Sequence, residues 1–385
     1  MKIVDVCAFY TPHGGGVRTY AEQKLRIAPK LGHDITILAP GDRAEVIERG
    51  PGARIVMLPA PRFPLDRNYW YFNDEPALHD ALTQLRPDFV EASSPWRSAS
   101  MVGRWRGTAP RSLVMHADPL SAYAYRWFGP ILSRPNIDRS FARYWNHLRS
   151  LNGVFATMIC ANRDLGRRMA EGGVSSVKVL PLGVETGVFS PERRDPAVRN
   201  LLLAQCGLSS DAVLLVGAGR LAPEKRWPMV VEAVAAASRH TPVGLALFGD
   251  GREKASVLRA IAGNPHIRLF APQRNREAFA AILASADAVI HGCEAETFCL
   301  VGAEARASGT PVIVPDAGGA AEHAGGGGGL TYRAANRFAA SQAVRSFCES
   351  AENWTRTSSS LMSHEQHFAA LFHHYAALGR ASVAA

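Results

Sequence analysis

Residues 292–316 read GCEAETFCLVGAEARASGTPVIVPD. An apolar strand, Ala288 to His291, leads into them, and a loop carrying Glu294 and Glu296 follows. From about Phe298 the residues turn small, apolar and helix-forming (Cys299, Leu300, Val301, Gly302, Ala303, Glu304, Ala305), until Ser308-Gly309 ends the helix. Thr310 to Val314 is a second buried strand. A loop that runs straight into a helix offers unpaired backbone N–H groups and the positive end of the helix dipole, a setting that suits a phosphate. Small residues let a ligand approach the backbone. Glu296 falls in the loop and Glu304, eight positions on, inside the helix. The two carboxylates can therefore stand on either side of that phosphate-suited helix end.

The stretch resembles the Glu-x7-Glu signature of retaining GT-B glycosyltransferases of family 4. It matches as Glu296, then Thr297-Phe298-Cys299-Leu300-Val301-Gly302-Ala303, then Glu304, with Ser308-Gly309-Thr310-Pro311-Val312 closing the motif. The resemblance implies an α/β fold of two Rossmann-like, doubly wound domains facing across a cleft. The implied reaction moves a hexose from a UDP- or GDP-linked donor to an acceptor hydroxyl with retention, and needs no cofactor or metal. In that scheme Glu296 holds sugar hydroxyls and Glu304 the ribose. Thr297, Phe298 and Cys299 offer backbone N–H groups to the donor, and Leu300 adjoins them. The family often has Gly where this chain has Cys299, so a side chain sits on the backbone beside the donor.

Outward from there, Ala212 to Val216 reads as a strand, followed by a loop and a helix over Pro228 to Ser238. Gly219 to Lys225 matches the family's Gly-Arg-Leu-x-x-Glu-Lys position by position. Arg offers a planar fork of donors and Lys a point charge, and both suit a diphosphate leaving group. Arg220 and Lys225 are assigned to the reaction on this ground. Leu245 to Phe248 ends in Gly249-Asp250-Gly251, and Ile267 to Ala271 in Pro272-Gln273-Arg274. The resemblance places Gly249 and Arg274 at the nucleotide. Gly325 to Gly329 reads as a surface turn before a short strand, Leu330 to Tyr332.

The first half opens with a strand (Ile3 to Tyr10), a glycine-rich turn, a helix (Arg18 to Leu31) and a strand (Ile35 to Ala39), the doubly wound pattern. The turn is not GxGxxG, so a dinucleotide fingerprint is not supported. By resemblance Gly14, Gly15 and Gly16 face the donor diphosphate and the acceptor. Further strands are Arg54 to Ala60, Asp88 to Ser93 and Ser112 to Asp118. The last ends in Met115-His116-Ala117-Asp118, and the family's histidine near the reacting sugar falls on His116, with Asp118 beside it. Pro181 to Glu185 and Phe189-Ser190-Pro191 resemble the family's interdomain link. The chain is thus read as an acceptor-binding domain (1–190), a nucleotide-sugar domain (191–362) and a last helix (363–385) returning to the first domain. That helix carries Phe368, Leu371, Phe372 and Tyr375 at helical spacing.

Composition bounds the reading. At 385 residues, 47% apolar and 20% charged, the chain is an ordinary globular protein with room for two to three domains. Six cysteines show no CxxC pairing and read as buried thiols in a reducing compartment. Asp5 breaks any signal-peptide core, and no uncharged apolar run approaches membrane-spanning length, so a cytoplasmic protein is expected. The +9 net charge divides into +7 over 1–190 and +2 over 191–385, and five of the seven tryptophans (70, 96, 105, 127, 145) lie in the first half. Arg97 and Arg104 share a helix face, and Arg126, Arg134, Arg139, Arg143 and Arg149 continue the basic run. No nucleic-acid module is present. The expected partners are a nucleotide sugar, an anionic membrane surface, and a glycolipid or cell-envelope polysaccharide precursor as acceptor at the inner face. An ordinarily solvated basic domain, a soluble acceptor, a sugar-nucleotide epimerase of the same fold and a binding protein without catalysis are the competing readings.

Overall fold

The structure, a computed structural model, describes residues 1–11, 15–64, 67–351, 354 and 361–384, without the side chains of 382–384. Gly14 lies outside the described residues. The chain divides into two compact units. Met1–Asp118, Ile131–Leu182 and His364–Ala385 make the first, and Pro119–Pro130 with Gly183–Ser363 the second. The position near 190 read as the boundary lies inside the second unit, where Val184 already bridges Ser363.

The first unit holds one sheet of β1 (Lys2–Val6), β2 (Asp34–Gly41), β3 (Glu45–Gly50), β4 (Ala53–Pro59), β5 (Phe89–Ala92), β6 (Arg111–Met115), β7 (Thr157–Cys160) and β8 (Val177–Val179). Its order is β3-β4-β2-β1-β5-β6-β7-β8. Every pairing is parallel except β3 with β4. The apolar run from Ile3 stays extended only to Val6, and the first helix spans Gly16–Ile27 rather than reaching Leu31. Pro29 cannot donate to the helix ladder, and Pro29–Leu31 tightens into a 3-10 turn. β3, unread in the sequence, is an exposed edge strand whose charges keep it from pairing further.

The last helix, His364–Ala384, closes the core of this unit. Phe368, Leu371, Phe372 and Tyr375 are fully buried, and Tyr375 stacks on Phe89 at 3.9 Å between centroids. Tyr375 Oη also donates to Glu91 Oε2 (2.7 Å), linking the helix to a charge cluster inside the protein. There Lys24 Nζ lies 2.7 Å from Asp5 Oδ2 and 2.6 Å from Glu91 Oε1, and Ser93 donates to Asp5 (2.6 Å). Charges this deep are tolerated only when paired and hydrogen-bonded.

The second unit holds β9 (Val213–Ala218), β10 (Val243–Phe248), β11 (Ile267–Phe270), β12 (Ala288–Ile290), β13 (Val312–Pro315) and β14 (Gly329–Tyr332). The sheet is wholly parallel, in the order β11-β10-β9-β12-β13-β14. Both faces are covered by helices, which explains the continuous apolar strands. Thr310, read as strand, instead ties the turn before β13 to Leu283 O through its hydroxyl (2.7 Å). The strand order reverses between β9 and β12, so the loops leaving these two strands diverge. An open sheet of this kind places its ligand there.

Candidate functional site

The loop after β9 is shaped by backbone packing. Gly219 sits at φ +152°, and a Cβ on Gly249 would collide with the Gly219 carbonyl. Gly249 thus has a packing reason to be glycine. Leu221 N donates to Asp250 O (2.8 Å) and Trp227 Nε1 to Arg220 O (3.0 Å), fixing the loop from both sides. From it the Arg220 side chain stands 67% exposed, reaching Glu224 at 3.1 Å. Lys225 points the other way and pairs with Glu296 Oε1, both side chains under one-fifth exposed. Next to it Arg226, at φ +51°, pairs with Glu294.

The loop after β12 receives these cations. Cys293 N donates to His291 Nδ1 (3.0 Å), which leaves the ring proton on Nε2, aimed at Glu296 Oε1 3.1 Å away. Burial alone would push the Glu296 carboxyl up. Lys225 and the His291 hydrogen bond outweigh it and hold Glu296 well below the usual carboxylate range. Burial likewise works against the Lys225 ammonium, and Glu296 more than restores it. His291, Glu296 and Cys299 bring their ligand atoms within 4.8 Å of one another, the one metal-like grouping among the described residues. The Lys225 ammonium already takes a cation's place on that carboxylate, and burial keeps Cys299 a thiol.

The helix that follows is Leu300–Ala307, so Thr297, Phe298 and Cys299 belong to the loop and its cap. Cys299 takes the left-handed conformation (φ +66°), which explains why glycine suits this position. Its buried sulfur packs over Gly302. The first amide to find a carbonyl inside the helix is Ala303, bonded to Cys299 O at 3.1 Å, and the Gly302 N–H turns to the Cys299 sulfur, so the N–H groups of Leu300 and Val301 form the open helix end. A short helix, Gly318–Glu322, braces the loop: Gly319 N donates to Glu296 O (2.6 Å) and His323 Nε2 meets Phe298 O (2.6 Å).

Glu304 is 7% exposed and pairs with Arg276 Nη1 at 2.9 Å. Burial pushes its carboxyl up to about 7, with Arg276 pulling the other way. Arg274, which the resemblance placed at the nucleotide, is exposed, and the sequence reading did not name Arg276, the residue that meets Glu304. A cation in the first turn of a helix opposes the helix dipole, and that anomaly was readable beforehand. Arg226 and His291 were also missed.

In the first unit, Gly15 caps the helix Gly16–Ile27, with open space where a Cβ would stand. His116 follows β6, its ring edge-on to Tyr20 (4.8 Å), and enclosure pushes its pKa down to about 4, so it is neutral at pH 7. Asp118 is taken by Arg168. The basic run is less available than its composition implied. Arg97 reaches Asn73 O (3.3 Å), Arg104 grips Glu75 with two 2.7 Å bonds, and Arg149 reaches Gly172 O (2.7 Å). Trp105 and Trp145 are core residues, whereas Trp127 is 57% exposed. Trp127 belongs to the second unit's stretch 119–130, which also exposes Tyr123 and Phe128, while Ile131 and Leu132 are exposed in the first unit. No helix among the described residues is long and apolar enough to cross a membrane.

Comparison with known proteins bears on the family and the fold. Residues 201–359 match the family described as glycosyl transferases group 1, and residues 15–185 match the glycosyl transferase 4-like domain. The chain is 30% identical over 316 residues to a GDP-mannose-dependent alpha-(1-6)-phosphatidylinositol dimannoside mannosyltransferase of Mycobacterium tuberculosis, covering 82% of this chain and 79% of that protein. It is 27% identical over 322 residues to a GDP-mannose-dependent alpha-mannosyltransferase of Corynebacterium glutamicum, covering 83% and 73%. In fold it is similar to a sucrose-phosphate synthase from Thermosynechococcus elongatus, with a TM-score of 0.78 at 18% identity over 99% of this chain and all of that one.

Proposed function

The chain belongs to the group 1 glycosyltransferases of GT-B fold, and from that premise we propose that it transfers mannose from GDP-mannose to a hydroxyl of a membrane-presented glycolipid. The sugar and the acceptor class follow the names of its relatives. The observation that carries the reading is the buried Lys225–Glu296–His291 cluster set against an open helix end. Buried ionised groups of strongly shifted acidity, beside open N–H groups in a loop where a doubly wound sheet places its ligand, support this reading.

In this reading Arg220, Lys225 and the helix-end amides neutralise the diphosphate as the sugar–phosphate bond breaks. Glu296, ionised and already accepting two hydrogen bonds, takes sugar hydroxyls as further donors. It is too weak a base to deprotonate the acceptor. A leaving phosphate oxygen takes that proton, so attack comes from the face of departure and the α configuration is retained. No metal step is required, because cationic side chains meet the phosphates.

The test is GDP release from GDP-mannose by the purified chain, with and without a phosphatidylinositol mannoside acceptor, and with UDP-glucose and ADP-glucose as competing donors. Acceptor-dependent GDP release and an α-linked product by NMR are expected. Conversion of the donor sugar without acceptor would establish the epimerase reading instead.

A further inference from the structure

Arg276 opens the helix Arg276–Ser285, behind the Asn275 cap, against the sense of the helix dipole. Its guanidinium is nevertheless held on three sides. Nη1 is 2.9 Å from Glu304 Oε1, Nη2 is 3.3 Å from Glu185 Oε2, and the group lies 4.7 Å over the Phe189 ring. β12 and β13, which pack on the Glu304 helix, carry only apolar residues. Arg306, on the same helix, is buried. The charges facing Glu304 are therefore Arg276, from the adjacent helix, and Glu185 behind it.

Building on the nucleotide-sugar reading, we infer that Arg276 is a positioning residue that keeps the Glu304 carboxylate charged and oriented for the ribose hydroxyls of the donor. A carboxylate accepts through two lone pairs on each oxygen, so Arg276 on Oε1 leaves Oε2 to receive a ribose hydroxyl. The need is physical. Burial holds Glu304 up at about 7 even with Arg276 pulling it down, and Arg276 is the group that lowers it. Remove the guanidinium, and a carboxylic acid replaces the carboxylate at neutral pH. Lysine keeps the charge while losing the fork that also grips Glu185.

The experiment measures GDP affinity by calorimetry from pH 6 to 9 on the full chain and on R276Q, R276K and E304Q. Ratios of dissociation constants are compared at each pH, so the nucleotide's own titration cancels. R276Q should bind roughly tenfold more weakly than wild type at pH 7 and recover most of that by pH 9, where Glu304 ionises unaided. R276K should stay within about threefold throughout. The wild-type advantage over E304Q should shrink as pH falls below 7, a readout that does not depend on R276Q folding. A pH-independent R276Q deficit, or a pH-independent ratio of wild type to E304Q, would overturn the assignment. If the wild type binds none of GDP, UDP or ADP at millimolar concentration, the nucleotide-sugar reading itself fails, a result separate from either.

Discussion

Glu296 and Glu304 stand eight residues apart, yet their surroundings push their acidity in opposite directions. The consequences for stability are opposite as well. The Glu304 carboxyl is raised from 4.5 to about 7, so its contribution is full below pH 4.5 and is lost as pH rises to 7. That loss amounts to about 3 kcal/mol. Glu296 is lowered, so its contribution is present above pH 4.5 and is lost as pH falls further. Urea unfolding across pH should show both limbs, and Glu304→Gln should flatten the limb between 4.5 and 7. Arg220→Ala belongs to a different class. Its side chain is 67% exposed, so unfolding should shift by less than about 0.5 kcal/mol. Turnover should lose more than about 2 kcal/mol of transition-state stabilisation, seen as a roughly thirtyfold fall in kcat/KM. The spacing of the two glutamates was legible because it is local. Their partners were not, because Lys225 and Glu296 lie 71 positions apart and meet only once β9 and β12 are neighbours. Asp5 and Glu91 could have been suspected, since a carboxylate inside an apolar parallel strand needs a buried cation.

At the scale of elements, the loop after β12 depends on the helix Gly318–Glu322. A Cβ on Gly319 would lie 2.6 Å from Thr297 O and 2.7 Å from Phe298 N, and those atoms are backbone. Gly319→Ala must therefore push the short helix and the loop apart. GDP affinity should fall at least about tenfold by calorimetry, with about 1–3 kcal/mol lost in unfolding, the usual cost of overpacking. The last helix offers a second test. Tyr375→Phe removes the bond to Glu91 Oε2 and should cost about 1–2 kcal/mol in urea, leaving GDP affinity unchanged. Most strands were readable from apolar runs and turn glycines, because a doubly wound sheet buries both faces, whereas their order came only with the structure. The edge strand β3 was not, since exposed charged residues carry no apolar signal. Helix starts at Gly16 and Leu300 also differ from the sequence reading, because caps are decided by φ values such as that of Cys299.

For the whole molecule, the charge asymmetry and the apolar segment bear on membrane docking. Arg97 and Arg104 are held by residues 73–75, so reversing them would disturb folding before it tested docking. Tyr123, Trp127, Phe128, Ile131 and Leu132 are the better probes: the segment 119–137 contains no acidic residue and carries Arg126 and Arg134. Sedimentation with anionic vesicles at low salt, with a blue shift in tryptophan emission, is the expected result. High salt should weaken it, and Trp127→Ser with Ile131→Ser should abolish the shift. A protein that stays in the supernatant at low salt would favour a soluble acceptor. The last helix also sets a schedule for synthesis. Residues 364–384 leave the ribosome after all of the second unit, yet they supply Tyr375 to Glu91 and the buried Phe368, Leu371 and Phe372 to the first unit. The first half of the chain must therefore wait, incomplete and with Phe89 uncovered, while the second half is made. A premature stop near 363 would spare the second unit and ruin the unit whose strands are translated first.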